Sequence, residues 1–210
     1  MNSKTLSNQE IIATLELYGI NASHDLCEKI REYIAILLKW NQKIALTTVT
    51  NPNEILRFHF GESLFAVSAA RIQQSRLADV GSGAGFPGLA VRLILESGKF
   101  VLIESNARKA TFLSEVVREL GLDGVDVHRG RMENFEPEGD GFDYVMARAL
   151  GQNEQLLKWA RLCLNPSGKV ILWLGEEDAD VISKTHPWDW SDPVKIPRSE
   201  RRYLLFGSPS

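Results

Sequence analysis

The chain has 210 residues, of which 44% are hydrophobic and 24% are charged, a composition typical of a folded protein rather than a disordered one. Its formal net charge of −3 and isoelectric point near 5.9 argue against a protein that coats nucleic acid or an anionic membrane through bulk charge. No apolar run approaches the length of a membrane-spanning helix, which argues against a membrane protein.

The cysteines and the N-terminal residues indicate the compartment. Cys27 and Cys163 are far apart and show neither metal-ligand spacing nor a disulfide framework, so both are interpreted as buried, small apolar residues. The first ten residues, MNSKTLSNQE, are polar and lack the apolar core of a signal peptide. We therefore expect a cytoplasmic protein that binds no metal and no membrane.

Residues 1–75 are predicted to form a helical region. Ser7–Glu10 has the form of a capping box, and Gly19 ends the helix that follows it. A second helix is predicted from Asp25 to about Ala45, and a third begins at Asn51, with proline at its first helical position. The polar stretch 71–76 predicts a boundary between this region and the rest of the chain.

Residues 76–210 alternate between short apolar strands and amphipathic helices, which predicts an α/β fold with a doubly wound, mostly parallel sheet. The predicted strands are Leu77–Val80, Phe100–Glu104, Val125–His128, Phe142–Ala147 and Lys169–Leu174. The tail Pro193–Phe206 is expected to add one or two strands, of which Arg202–Phe206 is the better candidate. The predicted helices are Gly88–Glu96, Arg108–Leu120 and Asn153–Leu164. Residues 165–168 (NPSG) are predicted to form a turn before the fifth strand.

A glycine-rich turn follows the first strand, where a doubly wound sheet binds its ligand. Gly81, Gly83 and Gly85 alternate along this turn, and the next helix opens at Pro87. Counted from Gly81 the pattern is G-x-G-x-G, as in S-adenosylmethionine sites, and counted from Gly83 it is the dinucleotide pattern G-x-G-x-x-G. The dinucleotide pattern begins late and is interrupted by Pro87, so we favour S-adenosylmethionine and keep a nicotinamide dinucleotide as the alternative.

The second strand ends at Glu104, whose carboxylate is placed to accept hydrogen bonds from the ribose hydroxyls of either cofactor. The sequence shows no evident Ser-His-Asp set, cysteine nucleophile motif or metal cluster. Methyl transfer to a ring nitrogen with a free lone pair needs no general base, whereas transfer to a hydroxyl or thiol usually does. The pattern therefore suits an acceptor that is already nucleophilic.

Several short segments together resemble the bacterial 16S ribosomal RNA guanine-N7 methyltransferase family (RsmG, formerly GidB). They are LKWN (38–41), LT (46–47), DVGSGAGFPG (79–88), IES (103–105), FL (112–113) and ARA (147–149). The resemblance implies a class I S-adenosylmethionine-dependent methyltransferase fold, Rossmann-like, with an N-terminal helical region. It also implies methyl transfer to N7 of a guanine in 16S ribosomal RNA, possibly within the small ribosomal subunit, by a monomer.

The resemblance also carries site residues. The cofactor-binding residues that it and the glycine pattern imply are Gly81, Gly83, Gly85, Phe86, Glu104, Met132, Glu133 and Arg148. Met132 and Glu133 are expected near the adenine, and Arg148 is also expected to position the acceptor. The candidates for RNA contacts are Arg57, His59, Arg108, Lys109, Arg198, Arg201 and Arg202. Trp188 and Trp190 are expected to pack under the C-terminal connection.

Two departures from the family pattern concern the RNA side. The family's Arg-His-x-x-Asp-Ser corresponds here to RFHFGES (57–63), with the arginine displaced and Glu62 in place of the aspartate. The family's Leu-Lys-Gly corresponds to Trp173, Leu174 and Gly175, so any contact made by that lysine must come from elsewhere. Two other functions stay open: an NAD(P)-type oxidoreductase, and a non-catalytic ribosome-binding protein with the same fold.

Overall fold

The computed structural model describes residues 5–73, 75–95, 97–137, 139, 141–148, 151–185 and 187–210. Its N-terminal part consists of α1 (Asn8–Glu16), α2 (His24–Asn41), α3 (Pro52–Glu54), a π-helix (Ile55–Gly61) and α4 (Glu62–Ala70). The last three follow one another without a break. Within the described residues, no helix combines the length and apolarity that crossing a membrane requires.

The ends of the first two helices follow from their polar side chains. The predicted capping box is confirmed, because Ser7 Oγ accepts from the Glu10 backbone and the Ser7 backbone N–H donates to the Glu10 carboxylate. The prediction that the second helix extends to Ala45 was wrong. Asn41 Oδ1 accepts from the N–H groups of Leu46 and Thr47, which fixes a turn where the helix would have continued.

The third helix begins where the sequence predicts. Asn51 Oδ1 accepts from the N–H groups of Asn53 and Glu54, and Pro52 occupies the first helical position. The wider π-helical turns that follow were not predicted. They connect directly to α4, which ends at Arg71 in the left-handed conformation with φ of 50°.

The rest of the described chain forms a sheet whose strands are β1 (Ser75–Val80), β2 (Gly98–Glu104), β3 (Val125–Arg129), β4 (Phe142–Arg148), β5 (Leu164–Gly175), β6 (Trp188–Trp190), β7 (Val194–Lys195) and β8 (Arg202–Pro209). The strand order is β3-β2-β1-β4-β5-β8-β6, with β7 also paired to β8. Strands β1 to β5 pair in parallel, and β8 is antiparallel to its partners β5, β6 and β7. The predicted doubly wound, mostly parallel sheet is therefore confirmed.

The helices of this part are α5 (Gly88–Ile94), α6 (Ala107–Glu119), α7 (Asn153–Cys163) and α8 (Glu176–Thr185), with a 3-10 turn at Met132–Asn134. Helix α8 and β6 were not predicted, whereas β7 lies in the tail Pro193–Phe206, for which one or two strands were predicted. The apolar stripe of α8 is short, since its buried residues are Ala179 and Ile182, and β6 and β7 are too short to show a strand period.

Residues 165–168 belong to β5 and do not form a separate turn, so that prediction was wrong. Strand β5 begins at Leu164, which pairs with Phe142, and the ladder then shifts register before Tyr144. The turn chemistry is nevertheless present, because Asn165 Oδ1 accepts from the Ser167 N–H. The turn-forming residues therefore lie inside an irregular strand start rather than between two elements.

The sheet is covered on both faces. On one face, α1, α2 and α4 contribute to a single apolar cluster that also contains sheet residues such as Leu77, Phe100 and Leu102. The other face packs against α7 and contains Phe142, Leu156 and related residues. The N-terminal helices thus share a core with the sheet, and the division into units at residues 75 and 76 stays a prediction.

The topology determines where a ligand can lie. Strand β1 pairs with β2 on one side and β4 on the other, so the chain direction across the sheet reverses at β1. A crevice forms at such a point, just beyond the carboxyl ends of the strands. Val80, Glu104 and Arg148 end β1, β2 and β4 and face this crevice region.

Candidate functional site

The glycine turn after β1 is held in a left-handed backbone conformation. Gly81, Gly83 and Gly85 have φ values of 72°, 56° and 81°, which residues with a Cβ adopt only with strain. The Gly81 N–H donates to the carbonyl of Ile103 at 2.8 Å, and the Gly85 N–H donates to that of Ser82 at 2.7 Å. The turn therefore folds tightly while it stays attached to the end of β2.

Close packing within the protein explains why Gly85 and Gly88, around the start of α5, have no side chain. A Cβ on Gly85 would lie 2.0 Å from the hydroxyl oxygen of Tyr33 in α2, and one on Gly88 would lie 2.6 Å from the Asp79 carboxylate. The same Tyr33 hydroxyl donates to the Ala84 carbonyl at 2.8 Å. Gly85 thus admits a neighbouring helix, and its direct contact with a cofactor stays a prediction.

Phe86 faces the N-terminal helices. Its ring stacks on Tyr33 with 5.3 Å between centroids and on His59 with 4.9 Å, and it meets Phe60 edge-on. Only 8% of Phe86 is exposed. The residue anchors the glycine turn to α2 and the π-helix, and its predicted contact with the cofactor stays a prediction.

Glu104 is a buried carboxylate that ties the glycine turn to the start of α6. One oxygen accepts from the Gly83 N–H at 2.9 Å, and the other accepts from the Asn106 N–H at 2.7 Å. Each carboxylate oxygen has a further lone pair, so this group can also accept from hydroxyl groups of a ligand.

A cavity of about 140 Å³ lies beyond the ends of β1 and β2; Ile103 and Ser105, on either side of Glu104, line it, whereas Glu104 itself does not. The cavity brings together the predicted residues Gly81, Met132 and Glu133. The other lining residues are Val80, Ile103, Ser105, Gly130, Arg131 and Gln152. Sequence reasoning did not select Ser105 or Gln152 as site residues, although Ser105 directly follows Glu104 and Gln152 precedes α7.

A larger cleft of about 700 Å³ lies beyond the ends of β4 and β5. It is lined by Ala147, Arg148, Gly151, Asn153, Leu172, Trp173, Leu174, Gly175, Asp178, Arg201 and Arg202. Arg148 lines this cleft and not the smaller cavity, so its predicted contact with the cofactor and its predicted acceptor-side role both stay predictions. Leu174, at the family's lysine position, lines the same cleft as Arg201 and Arg202, which lie just before and at the start of β8.

Glu62 accepts hydrogen bonds from two of the three arginines that line the cleft. Its carboxylate accepts from Arg148 Nη2 at 2.8 Å and also from Arg202 Nη1. Arg148 Nη2 donates in addition to the Phe58 carbonyl, whereas its Nη1 is buried without a partner in the described residues. Trp173 Nε1 donates to the Glu62 carbonyl at 2.8 Å. Sequence reasoning noted Glu62 only as a departure from the family pattern.

His59 lies next to the same arginines and is uncharged at neutral pH. Burial, followed by the charges of Arg148 and Arg202, lowers the pKa of His59 to about 4. Its Nε2 is 2.8 Å from Thr47 Oγ1. An imidazole with so low a pKa is a weak base, so His59 contributes to the packing around Phe86 rather than to proton transfer.

The seven RNA-side candidates separate into two groups. Arg57, Arg198, Arg201 and Arg202 lie around the cleft and the adjoining π-helix, where Arg57 Nη2 donates to the Arg198 carbonyl at 2.7 Å. His59 packs nearby. Arg108 and Lys109 instead open α6, where their N–H groups are capped by the side chain of Asn106.

Two other expectations concern residues outside this region. Trp188 and Trp190 stack on each other with 5.8 Å between ring centroids, and Trp188 is buried, so the packing interpretation is confirmed. Cys27 and Cys163 are both buried and unpaired, as predicted. Among the described residues, no group of three or more histidine, cysteine, aspartate or glutamate side chains is placed to hold a metal.

Comparison with known proteins identifies relatives along most of the chain. Residues 26–189 match the family model GidB, described as rRNA small subunit methyltransferase G. The chain is 33% identical over 183 residues to Ribosomal RNA small subunit methyltransferase G of Desulfitobacterium hafniense, covering 85% of this chain and 76% of that protein. It is 31% identical over 186 residues to the protein of that name from Thermoanaerobacter pseudethanolicus, covering 87% and 78%.

A solved structure supports the fold. The crystal structure of a SAM dependent methyltransferase from Aquifex aeolicus superposes with a TM-score of 0.61 at 14% identity, covering 73% of this chain and 92% of that one. At this identity the likeness concerns the fold alone. It agrees with the predicted class I methyltransferase architecture.

Proposed function

The chain belongs to the small-subunit rRNA methyltransferase G (GidB) family, and from that membership we propose that it transfers a methyl group from S-adenosylmethionine to N7 of a guanine in 16S ribosomal RNA. The observation that supports the proposal is the match over residues 26–189, which spans the glycine turn, Glu104, the smaller cavity and the part of the larger cleft formed by residues 147–178. Membership in a methyltransferase family also argues against the alternative that the cofactor is a nicotinamide dinucleotide.

The smaller cavity fits the nucleoside part of that cofactor. Its walls combine apolar side chains, Val80, Ile103 and Met132, with the backbone of Gly81, as the flat face of an adenine requires. Glu104 stands beside it with lone pairs for the ribose hydroxyls. When bound, S-adenosylmethionine supplies a methyl group on a positively charged sulfur.

The larger cleft fits a nucleotide of the RNA acceptor. Arg148, Arg201 and Arg202 place positive charge around it, which suits the phosphates on either side of a bound base. Glu62 is engaged by two guanidinium groups and His59 is a weak base, so neither is placed to remove a proton. Transfer to a guanine N7 requires no base, since that nitrogen has a free lone pair.

The cofactor assignment is tested by calorimetric titration of S-adenosylhomocysteine into the wild type and Gly81→Trp. We expect saturable binding to the wild type and none to the variant, because the indole would fill the cavity and strain a backbone with φ of 72°.

Gly121→Trp is the matched control, since Gly121 also has a positive φ and a Cβ there would meet nothing within 4 Å. Circular dichroism must show that all three proteins are folded. A folded wild type that does not bind the ligand, alone or with small-subunit rRNA present, would contradict the assignment.

The finer features of the function are also proposals. We propose that the protein acts as a monomer in the cytoplasm, on RNA within the small ribosomal subunit, and that Arg148 positions the acceptor. The cleft is open to an acceptor that contacts several elements at once, since its lining residues come from β4, β5, α7, α8 and the start of β8. The proposed chemistry uses no metal.

A further inference from the structure

A second basic pocket lies outside both cavities of the methyltransferase site. It has a volume of about 290 Å³ and is formed between α1, α3, the π-helix and the turn before β8. We call it the Tyr18 pocket; its lining residues are Thr14, Leu17, Tyr18, Asn53, Arg57 and Arg198. Neither the glycine turn nor the cleft arginines that bind Glu62 belong to it.

Tyr18 lines this pocket and is only 1% exposed, and among the described residues none accepts a hydrogen bond from its hydroxyl. The ring cannot easily move, because it packs on Gly61 so closely that a Cβ there would lie 2.3 Å from it. A buried hydroxyl that has no acceptor for its proton destabilises the fold. The fold therefore keeps the Tyr18 hydroxyl in a fixed position beside this pocket, and no described residue accepts its proton in a hydrogen bond.

The charged groups that act on the Tyr18 hydroxyl are the carboxylate of Glu62 and the guanidinium groups of Arg57 and Arg198. Arg57 and Arg198 are exposed at the rim, and Arg57 Nη2 donates to the Arg198 carbonyl, which fixes the two residues relative to each other. Within the described part of the chain, neither guanidinium forms an ion pair with a carboxylate. One hydroxyl donor and two cations around a small pocket match the oxygen atoms of a phosphate group.

The aromatic ring of Phe58 lies near an arginine of the Tyr18 pocket and also near an arginine of the acceptor cleft. The Arg57 guanidinium lies 5.1 Å from the centre of the Phe58 ring, and the Arg202 guanidinium of the cleft lies 6.0 Å from the same centre. Phe58 also accepts from Arg148 through its carbonyl. An RNA chain that places one of its bases in the cleft would therefore pass close to the Tyr18 pocket.

We propose that the Tyr18 pocket binds a backbone phosphate of the RNA substrate, next to the nucleotide that occupies the cleft, with Tyr18, Arg57 and Arg198 as its donors. This inference rests on the proposed function. It gives the N-terminal helices a part in binding RNA, since Tyr18 follows α1 and Arg57 belongs to the π-helix.

Tyr18→Phe tests the proposal because it removes one oxygen and keeps the packed ring. We expect the melting temperature of the free protein to rise, since a buried hydroxyl that has no acceptor for its proton is lost. We expect binding to small-subunit rRNA, measured by filter retention, to weaken about fivefold, because a hydrogen bond to a charged phosphate is lost. The affinity for S-adenosylhomocysteine should not change.

Arg57→Gln and Arg198→Gln provide the charge test, with Arg118→Gln as the matched control, since Arg118 is an exposed arginine near the end of α6. Each variant of the pocket should lower the slope of log binding constant against log salt by about one, and the control should not change it.

The outcomes separate the two proposals. If the wild type neither binds nor methylates small-subunit rRNA, the proposed function fails and this inference fails with it. If the wild type methylates the RNA while Tyr18→Phe binds it with unchanged affinity, the inference alone is overturned. A fall in melting temperature for Tyr18→Phe would also overturn it, because the hydroxyl would then have an acceptor in the free protein.

Discussion

Glu62 accepts hydrogen bonds from Arg148 and Arg202, although only 3% of its side chain is exposed. Arg148 is itself 15% exposed, so the pair is largely removed from water. Removing one partner of such a pair leaves a buried charge without compensation. The carboxylate therefore sets both the shape of the cleft and the position of its arginines.

We expect Glu62→Gln to lower the free energy of unfolding by about 3 kcal/mol, since the amide is uncharged and leaves Arg148 unbalanced. Glu62→Asp, which restores the family's usual residue, keeps the charge and should cost less. Urea denaturation of the three proteins measures both effects. Equal stability of Glu62→Gln and the wild type would show that the ion pair contributes nothing.

Asp79, near the end of β1, is a buried carboxyl whose protonation state depends on its surroundings. Burial raises the pKa of Asp79 to about 7 from an ordinary value of 3.8, against the opposing effect of the hydrogen bond from the Gly88 N–H. Between these pH values the folded protein holds a proton that the unfolded chain has lost. The stabilisation from Asp79 is therefore fully present below pH 3.8 and is lost as the pH rises to about 7.

Asp79→Asn should consequently gain stability relative to the wild type as the pH rises from 4 to 7, with no further change above 7. The measurement is urea denaturation of both proteins at a series of pH values. His59, whose pKa is lowered, titrates in both proteins, so its effect cancels in the difference. A difference that stays constant with pH would mean that Asp79 has an ordinary pKa.

Residues with a local signal could be selected from the sequence. Gly81 and Glu104 follow directly from their positions at the ends of consecutive parallel strands, and Met132 from a short motif after the next strand. Tyr33 and Glu62 had no such signal, because each acts through a contact made when distant segments pack together. Tyr33 reaches residue 84 from α2, and Glu62 reaches β4 and β8.

At the scale of elements, the contact between α2 and the glycine turn links the N-terminal helices to the site. Tyr33 donates to the carbonyl of Ala84 and stacks on Phe86, and the missing Cβ of Gly85 makes room for its hydroxyl. The position of the turn therefore depends on how α2 packs.

Gly85→Ala should destabilise the protein by about 1–3 kcal/mol, because its Cβ would meet the Tyr33 hydroxyl at 2.0 Å and its backbone has φ of 81°. Tyr33→Phe alone should cost about 1 kcal/mol through the lost hydrogen bond. The double variant should cost less than the sum, since removing the hydroxyl relieves the contact. Urea denaturation of the four proteins gives the coupling, and strict additivity would show that the two residues do not interact.

The elements themselves were predictable where the apolar period was long or the turn chemistry local. The strands β1 to β5 and the capped starts of α1 and α3 belong to this class. The end of α2 was not predictable, since Asn41 fits a helix and ends it only by binding Leu46 and Thr47 across the following turn. Strands β6 and β7 are defined by pairing with β8 rather than by their own sequence.

At the scale of the whole molecule, the charge distribution resolves an apparent conflict. The chain has a formal net charge of −3, yet Arg148, Arg201 and Arg202 surround the cleft, with Arg57 and Arg198 beside it. Asp178 also lines the cleft, and further acidic side chains lie on other elements, for example Glu115 and Glu119 in α6. A protein of this kind attracts RNA to one face while its overall charge opposes nonspecific binding.

The central claim is that the molecule methylates guanine N7 in 16S ribosomal RNA. The most direct measurement is transfer of a labelled methyl group from S-adenosylmethionine to small ribosomal subunits, and to the RNA extracted from them, followed by nucleoside analysis. We expect label in 7-methylguanosine with the wild type and none with Gly81→Trp. Cofactor binding without label in any small-subunit RNA would contradict the claim and favour a non-catalytic ribosome-binding protein, and label in a different nucleoside would contradict the assignment to N7.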